Sequence, residues 1–329
     1  MKICIVKLSA MGDIIHAMVA LEFIKKEKPD AQIDWVVEKG FAGVLQNNPH
    51  IDNILHVELK SIKKKKTAIF DQYKLVKKYS KNNYDIVIDA QGLLKSALVS
   101  KLIGAKVIAG FDKNSIREGI AAKFYNKTVS IAYDANTIDR NAKVMSEPLG
   151  INITPGMILQ KQKFLYSSSP VNNLPEKFNL FVIGSTWESR NYPKEKFVEI
   201  AEVLHVDTYI IWGSDEEHEK ALWMAKQSDH LHVLPRGSLD ELKYVISKSQ
   251  LLIGNDTGPT HMAWGLNVPS ITIFGPTPTN RVYVTPINKV VKSSSIVDHY
   301  KLNKNDFSIN EIHSSEIIKI AKELCETSV

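Results

Sequence analysis

Short apolar runs alternate with stretches of helical period from one end of the chain to the other, the pattern of parallel sheets wrapped by helices. Residues 2–7, 33–37, 85–89 and 106–109 read as strands, and 14–26, with apolar positions three and four apart, reads as the first crossover helix. Between 160 and 176 the period fails. Ser167, Ser168, Ser169, Pro170, Asn172, Asn173 and Pro175 crowd together there, which is linker chemistry, and two domains are expected, 1–165 and 166–329. A second series of strands then runs through 179–184, 208–212, 231–234, 251–254 and 270–274. Near the end, Ser314 and Ser315 offer caps to Ile317, Ile318, Ala321 and Leu324 at helical spacing. This terminal helix is a candidate for packing back on the N-terminal domain. The expected fold class is α/β, with no internal repeat and no biased tract beyond Lys60, Lys63, Lys64, Lys65 and Lys66.

Composition narrows the chemistry. The 329 residues are 44% hydrophobic and 24% charged, ordinary for a globular chain of about two domains. Two cysteines, Cys4 in an apolar run and Cys325, cannot build a ligand cluster or a disulfide framework, which fits a reducing compartment. Only Ile3, Cys4, Ile5 and Val6 separate Lys2 from Lys7, too short for a secretory core, so a cytoplasmic protein is expected. No apolar stretch approaches the ~18 residues of a membrane span, and any membrane contact would be peripheral. The net charge of +6 favours anionic partners. Aromatics are 8% and do not interleave with the lysines as in a nucleic-acid module, so an anionic lipid headgroup or sugar acid ranks above nucleic acid.

Parallel sheets bind ligands outside the carboxyl ends of their strands, so the residues that follow each strand carry the argument. After the first strand, Gly12 permits a tight turn and Asp13 opens a helix. Asp13 could serve as a helix cap, or as a base that accepts a proton from a substrate hydroxyl. Gly184, Ser185, Thr186 and Arg190 follow the first strand of the second domain, where hydroxyls and a planar guanidinium suit a phosphate. Trp212 and Gly213 introduce an acidic run, Asp215, Glu216, Glu217 and Glu219, from which one carboxylate could bind ribose hydroxyls. Gly254, Asn255, Asp256, Thr257, Gly258, Pro259, Thr260 and His261 run from a strand end into a helix, with Pro259 suited to a first helical position. The free amides and positive dipole end of that helix would receive a diphosphate without a metal. Taken alone, His261 reads as a satisfied core histidine on that helix rather than as a ligand. An Asp-x-Asp triplet, zinc spacing, a P-loop and a Gly-x-Gly-x-x-Gly fingerprint are all absent from the sequence, which weakens metal and dinucleotide readings.

Taken together, residues 7–16 (KLSAMGDIIH), 34–38 (DWVVE), 83–97 (NYDIVIDAQGLLKSA) and 256–261 (DTGPTH) resemble the bacterial lipopolysaccharide heptosyltransferases. Residues 111–118, 212–221, 234–235 and 274–276 are similar to the same family in the same order, so the resemblance spans essentially the whole chain. It implies the glycosyltransferase B fold, two facing Rossmann-like domains, the N-terminal one for the acceptor and the C-terminal one for the nucleotide sugar. It also implies transfer of L-glycero-D-manno-heptose from ADP-heptose to the inner Kdo of Kdo2-lipid A, with inversion, at the cytoplasmic surface of the inner membrane.

By the same resemblance Asp13 is the general base and Arg190 stabilises the departing diphosphate. Gly12, Ser185, Thr186, Trp212, Gly213, Asp256, Thr257, Gly258 and His261 belong to the donor pocket. Glu219 meets the ribose, with Glu217 as its substitute, and Leu234 and Pro235 flank the adenine. Arg190 stands where relatives commonly place a lysine. Lys60, Lys63, Arg117 and Arg140 match basic positions on the acceptor side. No cofactor or metal is expected. Competing readings are a transferase of the same family with another acceptor, a non-catalytic nucleotide-binding protein and, weakest, an NAD-dependent dehydrogenase.

Overall fold

The computed structural model describes residues 1–326, without the side chains of Lys63 and Lys64. The chain divides into two compact units, Met1–Phe164 and Leu165–Val329. The first holds a six-stranded parallel sheet of β1 (Lys2–Val6), β2 (Gln32–Glu38), β3 (Asn53–Val57), β4 (Tyr84–Asp89), β5 (Ala105–Phe111) and β6 (Lys127–Val129), in the order β3-β2-β1-β4-β5-β6. In the second are β7 (Asn179–Val182), β8 (Thr208–Ile211), β9 (Leu231–Val233), β10 (Leu251–Asn255), β11 (Ser270–Phe274) and β12 (Asn288–Lys292), ordered β12-β11-β10-β7-β8-β9. These six are also parallel. Each unit therefore repeats the doubly wound order 3-2-1-4-5-6, whose chain reverses direction across the sheet between its first and fourth strands. Those two switch points, β1/β4 and β7/β10, are where a ligand crevice is expected.

The central strands are the most apolar because helices cover both their faces. Ile3, Cys4, Ile5 and Val6 are fully buried, as are Leu251, Leu252 and Ile253. The edge strands β3, β6 and β12 were not evident from the sequence. Asn53 and His56 of β3 are exposed, β6 has three residues, and β12 frames two valines with lysines, so none forms an apolar run. The predicted first crossover helix is two, Met11–Met18 and Ala20–Glu27, meeting at Val19.

The serine-rich connection has no regular structure from 161 to 178, yet its second half is fixed. Ser167 donates its hydroxyl to the Asp240 carbonyl at 2.7 Å, and the Ser168 amide donates to the Asp240 carboxylate at 3.1 Å. That carboxylate pairs with the buried Lys243 ammonium at 3.0 Å. The terminal helix spans Ser314–Glu326. It packs on the Lys194–Leu204 helix and the β10–β12 side of its own unit, where Ile317, Ala321 and Leu324 join Ile200 and Ala201 in one apolar cluster. Burial of that stripe holds the helix within the C-terminal unit. No helix among the described residues is long and apolar enough to cross a membrane.

Candidate active site

At the β1/β4 switch point the chain turns through Leu8, Ser9 and Ala10, with a cis Ser9–Ala10 peptide, into the Met11–Met18 helix. The Leu8 and Ser9 amides both donate to Gln91 Oε1 at 3.1 Å, which ties this turn to the loop after β4. Gln91 and Gly92 donate their own amides to buried Asp89, at 2.9 and 3.1 Å, and Tyr125 adds its hydroxyl at 2.7 Å. Burial pushes the Asp89 carboxyl up despite these bonds. Beneath the turn, the buried Lys7 ammonium donates to the Ala90 carbonyl at 2.8 Å and to Asn141 Oδ1 at 2.9 Å. Burial pulls the Lys7 pKa down, opposed by the charges of Asp13 and Asp89.

On this platform Gly12 and Asp13 occupy the first helical turn, both half-buried. Asp13 Oδ2 accepts the Ala10 amide at 3.3 Å, so the carboxylate does cap its helix. That bond uses one oxygen. Oδ1 has no hydrogen-bond partner among the described residues, and a capping carboxylate with one oxygen unengaged is held in a fixed direction while still able to take a proton.

The acceptor-side cations separate into two kinds. Arg117 is exposed, and Lys60 is exposed with its ammonium 4.9 Å from the centre of the Phe41 ring. Lys63 lies in the short helix Ser61–Lys64, and its side chain falls outside the described atoms. Arg140 instead donates to the carbonyls of Ala132 at 2.6 Å, Ser115 at 2.5 Å and Ile131 at 3.5 Å, and rests on Phe111 and Tyr133. Its guanidinium holds the loop that carries Arg117, a use that sequence spacing could not disclose. Lys95, which lies within the 83–97 string, is exposed. With Lys60 it counters the burial that raises the carboxyl of Glu38 at the end of β2.

At the β7/β10 switch point several groups converge on Asp256, which is 2% exposed. Arg190, on a single 3-10 turn after β7, donates to the Asp256 carboxylate at 2.7 Å and to its carbonyl. His261 Nε2 lies 3.0 Å from Asp256 Oδ1, and the Thr277 hydroxyl donates to Oδ2 at 3.1 Å. Burial alone would raise this carboxyl. The hydrogen bond with His261 and the charges of Arg190, His261 and Arg281 outweigh it and hold the group well below the usual carboxylate range. His261 is thus a buried partner of the carboxylate on the helix Gly258–Leu266, which Thr257 precedes and Pro259 opens. Asn255 joins the two strands: its Oδ1 accepts the Tyr192 amide at 3.0 Å and its Nδ2 donates to the Ile183 carbonyl at 2.7 Å. Ser185 Oγ is buried without a hydrogen bond among the described residues, and Thr186 is exposed beside it. Arg281, half-buried on the turn after β11, was not evident from the sequence because its strand lies one place further along the sheet.

Next along the same edge, Trp212 Nε1 donates to the Leu234 carbonyl at 2.8 Å, joining the ends of β8 and β9. Leu234 is buried and Pro235 exposed. Of the two acids, Glu217 turns inward. Its Oε2 accepts the Gly213 amide at 2.6 Å, and the carboxylate lies over Gly184 so closely that an added Cβ there would sit 2.0 Å from it. Glu219 is exposed two residues on. On the donor-pocket role that the sequence resemblance implies for this carboxylate, Gly184→Ala is expected to displace Glu217 and weaken ADP binding about 10- to 100-fold, the scale of one hydrogen bond to a charged group. Calorimetry should show Glu217→Gln giving a loss of similar size, with the melting temperature of both variants within a few degrees of the parent. Among the described residues no three His, Cys, Asp or Glu side chains group as metal ligands.

The glycosyltransferase family 9 (heptosyltransferase) profile matches residues 72–311. Lipopolysaccharide heptosyltransferase 1 of Campylobacter coli is 37% identical over 98% of this chain and 99% of its own length. The protein of that description from Escherichia coli K12 is 31% identical over 84% of this chain and 88% of its own. Among solved structures, E. coli heptosyltransferase WaaC with ADP-2-deoxy-2-fluoro heptose is similar with a TM-score of 0.81 at 26% identity, covering 98% of this chain and 99% of that one. E. coli ADP-heptose lps heptosyltransferase II is similar with a TM-score of 0.77 at 18% identity over 100% of both chains, a likeness of fold alone.

Proposed function

The chain belongs to glycosyltransferase family 9, the heptosyltransferases, and from that premise we propose that it moves L-glycero-D-manno-heptose from ADP-heptose to the inner Kdo of Kdo2-lipid A. The observation that carries this reading is the cluster at β7/β10, where Arg190, buried Asp256, His261 and a helix start converge at one strand-end edge. Arg190, Arg281 and the free amides that open the Gly258–Leu266 helix offer donors to a diphosphate at that edge. Relatives from Campylobacter coli, Pseudomonas aeruginosa and Escherichia coli, each described as lipopolysaccharide heptosyltransferase 1, support this acceptor over the already heptosylated one.

In the reaction, the acceptor hydroxyl attacks the anomeric carbon from the face opposite ADP, which inverts the centre. Asp13 Oδ1 takes the hydroxyl proton as the new bond forms. The bond from the anomeric carbon to the diphosphate oxygen breaks, and its electron pair leaves with ADP. Arg190, Arg281, the Ser185 hydroxyl and the free amides that open the Gly258–Leu266 helix stabilise that charge. Asp256 keeps Arg190 in place, and Glu217 presents a carboxylate to the ribose. We assign neutralisation of the diphosphate to these fixed groups rather than to a metal cofactor. The acceptor is anionic through its Kdo carboxylates and lipid A phosphates, which Lys60, Lys63, Arg117 and Lys95 would meet, and it brings the enzyme to the inner-membrane surface.

The deciding experiment is a mass-detected transfer assay with ADP-heptose and either Kdo2-lipid A or the already heptosylated acceptor, each with and without chelator. Product from the first acceptor alone, undiminished by chelation, is the expected result; product only from the second would reassign the acceptor. Charge reversal at Lys60 and Lys63 is expected to raise the acceptor KM by about tenfold or more at low salt while leaving ADP affinity unchanged. Equal loss of both in calorimetry and kinetics would remove these lysines from the acceptor site.

A further inference from the structure

In the first unit, the helices Ala68–Tyr79 and Leu94–Ile103 and the turn Gly119–Phe124 form one layer, each packed on the next, while Met11–Met18, Ala20–Glu27 and Thr137–Ser146 associate separately. The first layer is unusual in what it exposes. Phe70 is 68% exposed, Ile120 55%, Ile69 51% and Tyr73 50%, and Leu94 and Leu98, one helical turn apart on the helix that packs against the other two elements, are exposed as well. These are six of the eight large apolar side chains exposed among the described residues of this unit, the others being Met1 and Leu159. Scattered apolar residues need no explanation, but a contiguous group on neighbouring elements marks an interaction surface.

Charge identifies the occupant. Residues 65–79, 94–103 and 117–124 hold nine basic and two acidic residues. Lys65, Lys66, Lys74, Lys77 and Lys101 are all exposed. Aromatic and aliphatic side chains fringed by lysines fit the boundary between headgroups and acyl chains of an anionic bilayer, where the rings enter and the ammonium groups meet lipid phosphates. Position agrees with this. Each of the three elements begins after the carboxyl end of a strand, so Ile69, Phe70, Tyr73, Leu94 and Ile120 rim the sheet edge that carries the Asp13 turn.

We propose that this layer is the face by which the enzyme inserts shallowly into an anionic membrane, presenting its acceptor site to a substrate that stays anchored in lipid. The proposal rests on the acceptor reading above. Its test separates the two: the full chain is sedimented with vesicles of phosphatidylethanolamine and phosphatidylglycerol, or of phosphatidylcholine alone, and turnover is measured in parallel on a deacylated, water-soluble acceptor. The parent chain is expected to partition onto the anionic vesicles at least about tenfold better than onto the neutral ones. The triple variant Ile69→Ser, Phe70→Ser, Tyr73→Ser is expected to lose that binding about tenfold or more with turnover on the soluble acceptor unchanged. As a milder probe, Phe70→Trp should gain fluorescence that brominated lipid quenches. Undiminished vesicle binding by the triple variant would overturn the proposal, as would a tryptophan that brominated lipid leaves unquenched. Binding lost only through Lys74→Glu and Lys77→Glu would do the same, by showing adsorption without insertion, and so would lipid-free dimers that the triple variant abolishes. Absence of turnover on the soluble acceptor by the parent chain would instead strike the transferase reading.

Discussion

Asp13→Asn is expected to slow turnover by roughly 10²- to 10⁴-fold, the range of a general base, with ADP bound as tightly as before. The choice of asparagine matters because the Asp13 carboxylate also caps its helix through the Ala10 amide. An asparagine oxygen can accept that same amide, so the variant removes the proton acceptor and keeps the cap. Asp13→Ala removes both and should add about 1 kcal/mol of destabilisation to a comparable loss of rate. Steady-state kinetics with thermal melting separate the roles. If the carboxylate only capped the helix, the asparagine variant would retain more than a tenth of the parent rate, and the assignment would fail. The expected loss should appear in kcat as well as kcat/KM, because the proton moves only as the acceptor attacks.

How much of this was legible in the sequence follows from where each residue stands. Residues 3–6 of β1, 86–88 of β4, 180–182 of β7 and 251–253 of β10 are buried and read as apolar runs, while the half-exposed edges β3 and β12 do not. The duplicated strand order left no visible repeat, since handed connections and burial fix topology without requiring two similar sequences. Asp13 and Asp256 could be singled out because each closely follows a strand that was evident. Gln91, Asn141 and Asn255 act by binding segments far away in the chain, which no local pattern encodes. Glu217 and Glu219 illustrate the limit. Two residues on a helix face opposite ways, but which one faces inward depends on Gly184, which is distant in sequence. Arg140 matches a basic acceptor-side position of the family, but only its three carbonyl partners disclose the loop it holds.

Removal of Arg190 should produce the other large effect, on two measurements at once. Arg190→Ala deletes the guanidinium that we propose meets the diphosphate, and the loss of a preorganised donor of this kind lowers kcat/KM by about 10²- to 10³-fold. It also takes from Asp256, 2% exposed, the guanidinium paired with it, while His261, Thr277 and Arg281 remain, and breaking a buried pair on one side costs up to about 3–5 kcal/mol. A unit of this size would then melt several degrees or more lower. The pH dependence has a defined sign. The Asp256 carboxyl is held below its ordinary value, so its contribution to stability is complete above the unfolded value of about 3.9 and is lost as pH falls through the folded one. Arg190→Ala raises the folded value and should move acid unfolding to higher pH. The double variant Arg190→Ala, Asp256→Asn decides whether the two effects share one cause. With no carboxylate left unpaired, it should recover much of the melting temperature but none of the turnover. Recovery of both would mean that Arg190 serves the fold alone, whereas recovery of stability by itself places the guanidinium on the departing phosphate.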